Sequence, residues 1–370
     1  MKQPFSDLRA QYLTIKPAID RAISQVIEQS AYIRGPFVER FEKEFASVMG
    51  MPHCISCANG TDSLFIAMKA LGLCPGDEVI TPAHSWIASS ETISLAGGRP
   101  VFVDTDDDTF TIDPARIGEK ITPRTRGIIV VHLYGHPADM DSILSLARRH
   151  NLWIIEDCAQ AHLARHHGAL VGTFGAASSF SFFPGKNLGA YGDAGAIMTG
   201  DPDLARQMTV FARHGTAQPG SGRHEIEGIN SRLDGLQAAI LSVKLEHLAE
   251  WTRRRQQIAA LYDRLLAGVG DVVTPVVREA CEHVYHLYVI RTSKRDSLKE
   301  WLGQKGISTV VNYPVALPFL EAYRHLGCQP GDFPVAHKNQ DQILSLPLYP
   351  EMTDEMVATV AEQIRAFFAR

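Results

Sequence analysis

The spacing of apolar residues changes near residue 50 and predicts two kinds of structure. Before that point they recur every three or four positions, which is the period of an α-helix. This spacing predicts one helix over residues 8–29 and, after the helix-breaking pair Gly35-Pro36, a second over residues 37–49. The chain therefore begins with two amphipathic helices.

From residue 53 onward, short apolar runs alternate with amphipathic stretches. The runs predict strands at residues 53–57, 78–81, 100–104, 127–132 and 152–156. The stretches between them predict helices at residues 62–71, 85–96, 113–120 and 139–150. This alternation predicts an α/β fold, in which helices cover both faces of a mostly parallel sheet.

The C-terminal third predicts a second, smaller domain. A long apolar helical pattern at residues 237–267 would bridge the two domains. Beyond it we expect a strand and two helices, at residues 284–292, 296–303 and 353–369. We predict a large domain over residues 1–240, which includes the N-terminal helix, and a smaller α+β domain with an antiparallel sheet over residues 241–370.

Composition narrows the class of protein. The 370 residues carry a formal charge of -5 and no basic stripe, so nucleic acid is not expected as a partner. The chain shows neither a signal-peptide pattern at its start nor an apolar run of membrane-spanning length, which predicts a cytoplasmic protein without a membrane partner. Of six cysteines only Cys54 and Cys57 have CxxC spacing, which favours reduced thiols over a zinc site.

Ligands of a mostly parallel sheet bind beyond the carboxyl ends of its strands, so the residues that follow each run are informative. Gly60-Thr61 opens a helix after the first run, where free N–H groups would suit a phosphate or simply form an ordinary helix start. Trp86 follows the second run and could stack on a planar ring or fill the core. No nucleotide fingerprint is present, so the phosphate would belong to another cofactor.

Asp157 ends the fifth run and would be poorly hydrated unless it met a cation. A pyridinium nitrogen would be such a cation, and a structural ion pair is the alternative. Gln160 could then reach a neighbouring ring hydroxyl. Nearby histidines invite a metal hypothesis, but they have neither HExxH nor facial-triad spacing, and we expect no metal site. These histidines are His162, His166 and His167.

Lys186 lies in the apolar, glycine-flanked segment 180–189. A weakly solvated site favours the neutral amine, which is the nucleophile that forms a Schiff base with an aldehyde. The alternative is a surface turn after Pro184-Gly185. Together with Ser181, the phosphate-binding turn, the aromatic ring and the carboxylate, this lysine predicts pyridoxal 5'-phosphate as the cofactor.

The chain resembles the DegT/DnrJ-type aminotransferases, which act on keto sugars. The likeness extends over nearly the whole chain, at residues 59–62, 75–79, 131–135, 156–160, 181–189, 230–234, 286–289 and 346–350. It implies the fold-type I aminotransferase architecture, in which a large domain with a seven-stranded, mostly parallel sheet is joined to a smaller α+β domain. It also implies a homodimer with shared active sites.

The resemblance assigns roles to matching positions. Lys186 would form the Schiff base, and Asp157 would hold the pyridine nitrogen. Gln160 would contact the ring hydroxyl, and Trp86 would stack on the ring. The phosphate would be bound by Gly60, Thr61 and Ser181, together with Asn230 of the partner subunit. The substrate side would include His84, Asn312 and Tyr313. It would also include Arg213, His214 and Arg232 as anion-binding residues, for which solvated surface charges are the alternative. The chain departs from the family pattern at Asn312, where histidine is usual, and at Gly235, where glutamate is common.

The resemblance implies transfer of an amino group from L-glutamate to a keto sugar, most simply a dTDP- or UDP-linked keto-deoxysugar. Such amino sugars serve surface polysaccharide, including lipopolysaccharide O-antigen, or glycosylated metabolites. Two alternatives stay open. One is a cofactor-binding regulatory or sensor protein without turnover. The other is a sugar dehydratase, which in this family carries histidine where this chain has Lys186.

Overall fold

The computed structural model describes residues 3–218, 220 and 222–370, and its centre is a seven-stranded sheet. The strands are β1 (His53–Cys57), β2 (Glu78–Pro82), β3 (Arg99–Val103), β4 (Thr125–Val131), β5 (Trp153–Asp157), β6 (Arg165–His166), β7 (Ala169–Leu170), β8 (Ala177–Ser181), β9 (Gly195–Thr199), β10 (Cys281–Glu282), β11 (Tyr288–Arg291) and β12 (Ile343–Leu346). The α-helices are α1 (Leu8–Glu28), α2 (Pro36–Met49), α3 (Gly60–Ala70), α4 (Ala88–Leu95), α5 (Pro114–Ile117), α6 (Met140–His150), α7 (Pro202–Phe211), α8 (Gly235–Leu245), α9 (Leu248–Leu266), α10 (Arg295–Gln304), α11 (Pro334–Gln342) and α12 (Asp354–Phe368). Within the described part of the chain, no helix has both the length and the apolar character needed to cross a membrane.

The large sheet has the strand order β1-β9-β8-β5-β4-β2-β3. Pairing is parallel from β3 through β8, whereas β9 is antiparallel to both of its neighbours. Six strands therefore point one way and one is reversed, which confirms the predicted mostly parallel sheet. The apolar pattern missed β8 because small and polar side chains, such as those of Ser178 and Ser179, are buried there. The prediction also omitted β9, although Ala196, Ile197 and Met198 form a short buried apolar run.

Two apolar cores cover the two faces of this sheet. Ile129 and Val131 of β4 pack with α3, α4 and α7 on one face. Ile128 and Val130 of the same strand pack with α6 on the other. Successive side chains of a strand point to opposite faces, so a continuous apolar run is what a strand covered on both sides requires. The predicted helical layers are confirmed.

A third core lies in the C-terminal part of the chain, between Ile258 and Ile364. Its two-stranded sheet is the antiparallel pair of β11 and β12. The single helix predicted over residues 237–267 is wrong, because α8 ends at Leu245 and α9 begins at Leu248. The two helices have different packing partners, since α8 packs on α1 and α2 whereas α9 packs on α12. The predicted division after residue 240 falls inside α8 and stays a prediction.

A buried lysine joins α8 to the segment that follows β8. Lys244 Nζ donates a hydrogen bond to the Gly189 carbonyl and lies 4.9 Å from the centre of the Tyr191 ring. Burial lowers the pKa of Lys244 to about 8. A Cβ on Gly189 would lie 2.3 Å from the Pro184 carbonyl oxygen, so the chain from Pro184 to Gly189 forms a tight turn. Lys244 therefore holds this turn against α8.

The pH dependence of stability tests this burial. The pKa of Lys244 falls from 10.5 to about 8 on folding, so between these pH values the unfolded chain binds more protons and stability rises with pH. Lys244→Met removes this contribution. The wild type should therefore become more stable relative to Lys244→Met as the pH rises. The difference in their unfolding free energies should increase by roughly 2 kcal/mol between about pH 7 and about pH 10, measured by urea unfolding.

The control is Lys299→Met, which replaces an exposed lysine of α10. Its deficit should not change over the same pH interval. A Lys244→Met deficit that is equally independent of pH would show that Lys244 keeps an ordinary pKa in the folded protein.

Candidate active site

The carboxyl ends of β1, β2, β5 and β8 lie at the same edge of the large sheet, because these strands point the same way. The residues that end or follow these strands include Gly60, Trp86, Asp157 and Ser181. The fold thus gathers at one edge the residues that the sequence placed after separate apolar runs.

The start of α3 and the end of β8 form an anion-binding surface. The Asn59 side chain caps α3 by accepting a hydrogen bond from the Asp62 N–H at 2.8 Å. A Cβ on Gly60 would lie 2.6 Å from the Ser181 Cβ, so only glycine lets the helix start approach Ser181 this closely. Free N–H groups at the start of α3, including that of Thr61, and the Ser181 hydroxyl are therefore available to a phosphate.

Asp157 is a buried carboxylate, 6% exposed, that accepts hydrogen bonds only from neutral groups. Oδ2 accepts from the Ser89 hydroxyl at 2.9 Å, and Oδ1 accepts from the Ala159 N–H at 3.2 Å. Burial raises the pKa of Asp157, and these hydrogen bonds and the charge of Lys186 act in the opposite direction. Among the residues that the structure describes, Asp157 has no cation within ion-pair distance. This arrangement argues against the structural ion pair and leaves room for a cationic ligand.

Lys186 lies in the turn after β8, where its backbone N–H donates to the Phe183 carbonyl at 2.8 Å. Its side chain is half-buried, unlike that of a lysine in a solvated surface turn. Burial lowers the pKa of Lys186 from 10.5 to about 8, and the Asp157 charge partly offsets this effect. A larger fraction of its amine is therefore neutral, and nucleophilic, near neutral pH than in an ordinary lysine.

Four side chains from three parts of the chain lie close to one another near Asp157 and Lys186. Gln160 accepts from the Tyr134 N–H at 2.6 Å and donates to the Tyr313 hydroxyl at 3.0 Å. The Tyr313 N–H donates to His84 Nε2 at 3.0 Å, and burial lowers the pKa of His84 to about 4. The Trp86 ring lies 5.3 Å from that of Tyr313 and is 56% exposed, so Trp86 does not fill the core.

Asn312 is held differently from its neighbour Tyr313. Its side-chain oxygen accepts from the Ser345 hydroxyl at 2.9 Å, which ties the side chain to β12. The usual family histidine is thus replaced here by a residue with a contact inside the smaller sheet. His162, by contrast, lies in the core, because it is fully buried among Phe45, Phe180 and Phe182.

Asn230 lies in an exposed segment that is fastened to the start of α3. The neighbouring Ser231 hydroxyl donates to Asp62 at 2.7 Å and accepts from the Ala58 N–H at 3.0 Å. Asn230 also forms a backbone bridge with Arg213. The phosphate-binding surface and the segment that carries Asn230 and Arg213 are therefore adjacent.

Three arginines lie close together beside this segment. Burial lowers the pKa of Arg34, and the charges of Arg213 and Arg232 lower it further. Arg34 Nε is buried without a hydrogen-bond partner. None of these three side chains forms an ion pair within the described residues. The cluster, which we call the rim arginines (Arg34, Arg213 and Arg232), concentrates positive charge, and the nearby charge of Glu42 offsets only part of it at Arg34. His214 lies next to it on the exposed surface.

Gly235 explains how the rim arginines come together. Its N–H donates to the Tyr32 carbonyl at 2.7 Å, and a Cβ there would lie 1.9 Å from the Ala31 carbonyl oxygen. The glycine lets the segment that ends at Arg34 pack against the segment that contains Arg232. The common glutamate of the family could not take this position without moving the chain.

Several residues that position the side chains of the site were not predicted from the sequence. Ser89, which holds Asp157, lies on α4 four residues after Ser85, and their hydroxyls lie 2.8 Å apart. Lys244 and Arg34 were missed because each is brought to the site by packing of distant segments. Ser85 lies in the segment before α4, so helical spacing does not relate the two serines, and no local pattern in the sequence indicated Ser89.

A family model described as the DegT/DnrJ/EryC1/StrS aminotransferase family matches residues 14–365. Among curated relatives, the "Pleiotropic regulatory protein" of Geobacillus stearothermophilus is 46% identical over 100% of this chain and 99% of its own length. The dTDP-3-amino-3,4,6-trideoxy-alpha-D-glucose transaminase of Streptomyces venezuelae is 42% identical, over 99% of this chain and 96% of its own length.

Solved structures show the same relation. DesV of S. venezuelae, in complex with a ketimine intermediate, has a TM-score of 0.97 and 42% identity, with 100% of this chain and 99% of DesV covered. The Bacillus subtilis protein NtdA, with bound cofactor PMP, has a TM-score of 0.93 and 33% identity, with 100% of this chain and 86% of NtdA covered. These matches confirm the predicted fold-type I architecture, the aminotransferase class and pyridoxal 5'-phosphate as the cofactor. The extent of the family match and these identities show that the chain belongs to the DegT/DnrJ/EryC1/StrS aminotransferase family.

Proposed function

We propose that this protein transfers an amino group from L-glutamate to the keto group of a dTDP- or UDP-linked keto-deoxysugar. The observation that carries the proposal is the pair formed by Lys186 and Asp157. The first is an amine whose burial lowers its pKa to about 8, and the second is a buried carboxylate without a cationic partner. An aminotransferase needs both groups at one site.

The described residues fit pyridoxal 5'-phosphate. Its phosphate would bind at the start of α3, with Gly60, Thr61 and Ser181 as donors. Asp157 would face the ring nitrogen, Trp86 would cover the ring, and Gln160 would approach the ring hydroxyl. When bound, the cofactor supplies an aldehyde that takes up the amino group and a ring that withdraws electrons from the substrate.

Lys186 would act twice on the substrate side of this reaction. Its neutral amine would hold the cofactor until a donor amine takes its place. The freed amine then takes the proton from Cα of L-glutamate and returns a proton to complete the transfer. A pKa of about 8 suits both steps, because a general base works best when its pKa is near the working pH.

Asp157 would keep the ring nitrogen protonated. Ser89 and the Ala159 N–H fix the direction of its two oxygens, and burial keeps water from competing for them. A carboxylate in such a site interacts with a cation more strongly than one in water does. The raised pKa of Asp157 returns towards its ordinary range once that cation is present, since an opposite charge favours the ionised form.

The rim arginines support a nucleotide-linked substrate. A guanidinium group binds phosphate through paired hydrogen bonds, and three unpaired guanidinium groups suit the two charges of a sugar-nucleotide diphosphate. The S. venezuelae relative is named as a transaminase of a dTDP-linked amino sugar, which also supports this substrate class. His84, Tyr313 and Asn312 would then lie nearer the sugar.

A homodimer with shared active sites, located in the cytoplasm, is part of this proposal. Trp86 and Phe183 follow β2 and β8 at the carboxyl edge of the sheet, and each is 56% exposed. A second copy that covered these rings would exclude water from the site. Asn230, exposed beside the phosphate-binding surface, would then reach the partner's phosphate. The amino sugar formed would enter surface polysaccharide or a glycosylated metabolite.

A regulatory function is the second candidate, because a relative that is 46% identical is named as a pleiotropic regulatory protein. Such a protein would bind the cofactor without turnover. Lys186 and its lowered pKa favour the enzyme. The dehydratase alternative is disfavoured by the same residue, since a lysine stands where that reaction goes with histidine.

The donor half of the reaction tests the proposal. We expect the visible absorption band of the purified protein to disappear on addition of L-glutamate and to return on addition of a keto-sugar nucleotide. Mass spectrometry of the product should show one added amino group. Lys186→Ala should keep the cofactor bound through the phosphate and Asp157, yet show neither change.

The aminotransferase, the regulatory protein and the dehydratase each predict a different result. A band that is unaffected by glutamate in the wild-type protein would leave the regulatory function, whereas a product that lost water and gained no nitrogen would indicate the dehydratase. Full turnover by a well-folded Lys186→Ala protein would refute the role of Lys186.

A substitution in the rim arginines tests the substrate class. Arg34→Gln should raise KM for the sugar nucleotide roughly tenfold or more, because it removes a charged hydrogen-bond donor to phosphate. KM for L-glutamate should stay unchanged, and so should both constants in the control Arg40→Gln, which changes an exposed arginine of α2 paired with Glu44. If Arg34→Gln instead raised KM for L-glutamate alone, the cluster would bind the donor carboxylates.

A further inference from the structure

Three side chains of metal-ligating type meet where α6 begins and the β6–β7 hairpin turns. Asp141 Oδ2 lies 3.3 Å from His166 Nε2 and 3.2 Å from His167 Nε2. The ligand atoms of all three residues lie within 4.8 Å of one another. None of these residues belongs to the candidate active site.

The backbone of the hairpin brings the two imidazoles to one side. Consecutive residues of a strand point to opposite faces, so His166 and His167 would normally diverge. His167 adopts a positive φ of 48°, an uncommon conformation for a residue other than glycine. As a result the two ring centres lie only 4.6 Å apart. The turn therefore directs both rings towards Asp141.

The surroundings of His166 also indicate a bound ligand. It is 6% exposed, and its Nε2 is buried without a hydrogen-bond partner although the Asp141 carboxylate lies beside it. Its other ring nitrogen, Nδ1, lies 3.6 Å from the Cys281 sulfur, a contact that fixes the ring. An unpartnered buried polar atom is costly, and a metal ion would give this one a bond.

We propose that Asp141, His166 and His167 bind a divalent first-row transition metal ion, with Zn²⁺ as the representative. Two atoms that share one tetrahedral Zn²⁺ at about 2.0–2.2 Å lie about 3.4 Å apart, which matches both carboxylate–imidazole distances. Imidazole nitrogen selects Zn²⁺, Ni²⁺, Co²⁺ or Cu²⁺ over Mg²⁺ and Ca²⁺. Asp141 and His167 are mostly exposed, so water would fill the remaining coordination positions.

In a second cluster of potential metal ligands, the polar atoms already have hydrogen-bond partners. His132, Glu156 and Cys158 also lie within ligand distance of one another and are all buried. However, Glu156 already accepts hydrogen bonds from three backbone N–H groups and faces His132 Nε2 at 3.1 Å. His132 Nδ1 accepts from the Ala138 N–H at 3.0 Å. These lone pairs are used inside the protein, whereas that of His166 is not.

The bound ion would fasten the β6–β7 hairpin to α6. It would do so away from Lys186, so the proposal does not depend on the reaction that the protein catalyses. The expected effects are metal binding and a higher unfolding temperature with metal present, without a change in aminotransferase activity.

The test measures Zn²⁺ binding to the holoenzyme after treatment with a chelator and removal of that chelator. Isothermal titration with ZnCl₂ and metal analysis should give one Zn²⁺ per chain that His167→Ala loses or binds at least about tenfold more weakly. His150→Ala, which removes an exposed histidine from the last turn of α6, should bind Zn²⁺ as the wild type does. Asp141→Asn, which keeps the shape of the side chain, should weaken binding too.

Two further readouts keep the result specific. Zn²⁺ should raise the unfolding temperature of the wild type and of His150→Ala but not of His167→Ala, and excess Mg²⁺ should not displace it. Equal Zn²⁺ binding by wild type and His167→Ala would overturn the proposal, because the ion would then lie elsewhere. Absence of Zn²⁺ binding by the wild type would overturn it as well and leave only close contacts between the histidines and Asp141.

Discussion

The structure of this site depends on burying two groups of opposite charge together without neutralising either fully. Burial raises the pKa of Asp157 and lowers the pKa of Lys186 to about 8, and each group's charge partly offsets the shift of the other. Burial therefore disfavours the charged form of each group, while each charge favours the ionised form of the other. In the proposed complex, a cationic ring would pair with Asp157 and compensate for the burial of its charge.

The surrounding fold serves this pair. Asp157 ends β5 and Ser181 ends β8, two neighbouring parallel strands, so the carboxylate and the phosphate-binding surface share one edge of the sheet. Ser89 orients the carboxylate from α4, and Lys244 holds the turn after β8 from α8. Glu156, which precedes Asp157, anchors the loop at residues 172–175 through three backbone N–H groups. Each contact limits how far the two charged groups can separate.

The sequence predicted what local pattern encodes and missed what packing decides. Continuous apolar runs identified β4 and β5, because both faces of those strands are covered, whereas the buried serines of β8 hid that strand. The family, the fold class and the aminotransferase class are confirmed, and the individual residue roles at the site stay predictions. Arg34 and Asp141 escaped notice because their partners lie far away along the chain. Histidine spacing alone argued against a metal site, since Asp141, the third residue of the proposed site, lies on another element.

The protonation state of the cofactor's ring nitrogen tests the proposed role of Asp157. Protein reconstituted with pyridoxal 5'-phosphate labelled with ¹⁵N in the ring can be examined by nitrogen NMR at neutral pH. We expect a protonated ring nitrogen in the wild-type protein and loss of that proton in a folded, cofactor-loaded Asp157→Asn protein, since an amide supplies no charge. An unprotonated ring nitrogen in the wild type, or the same protonated signal in both proteins, would contradict that role.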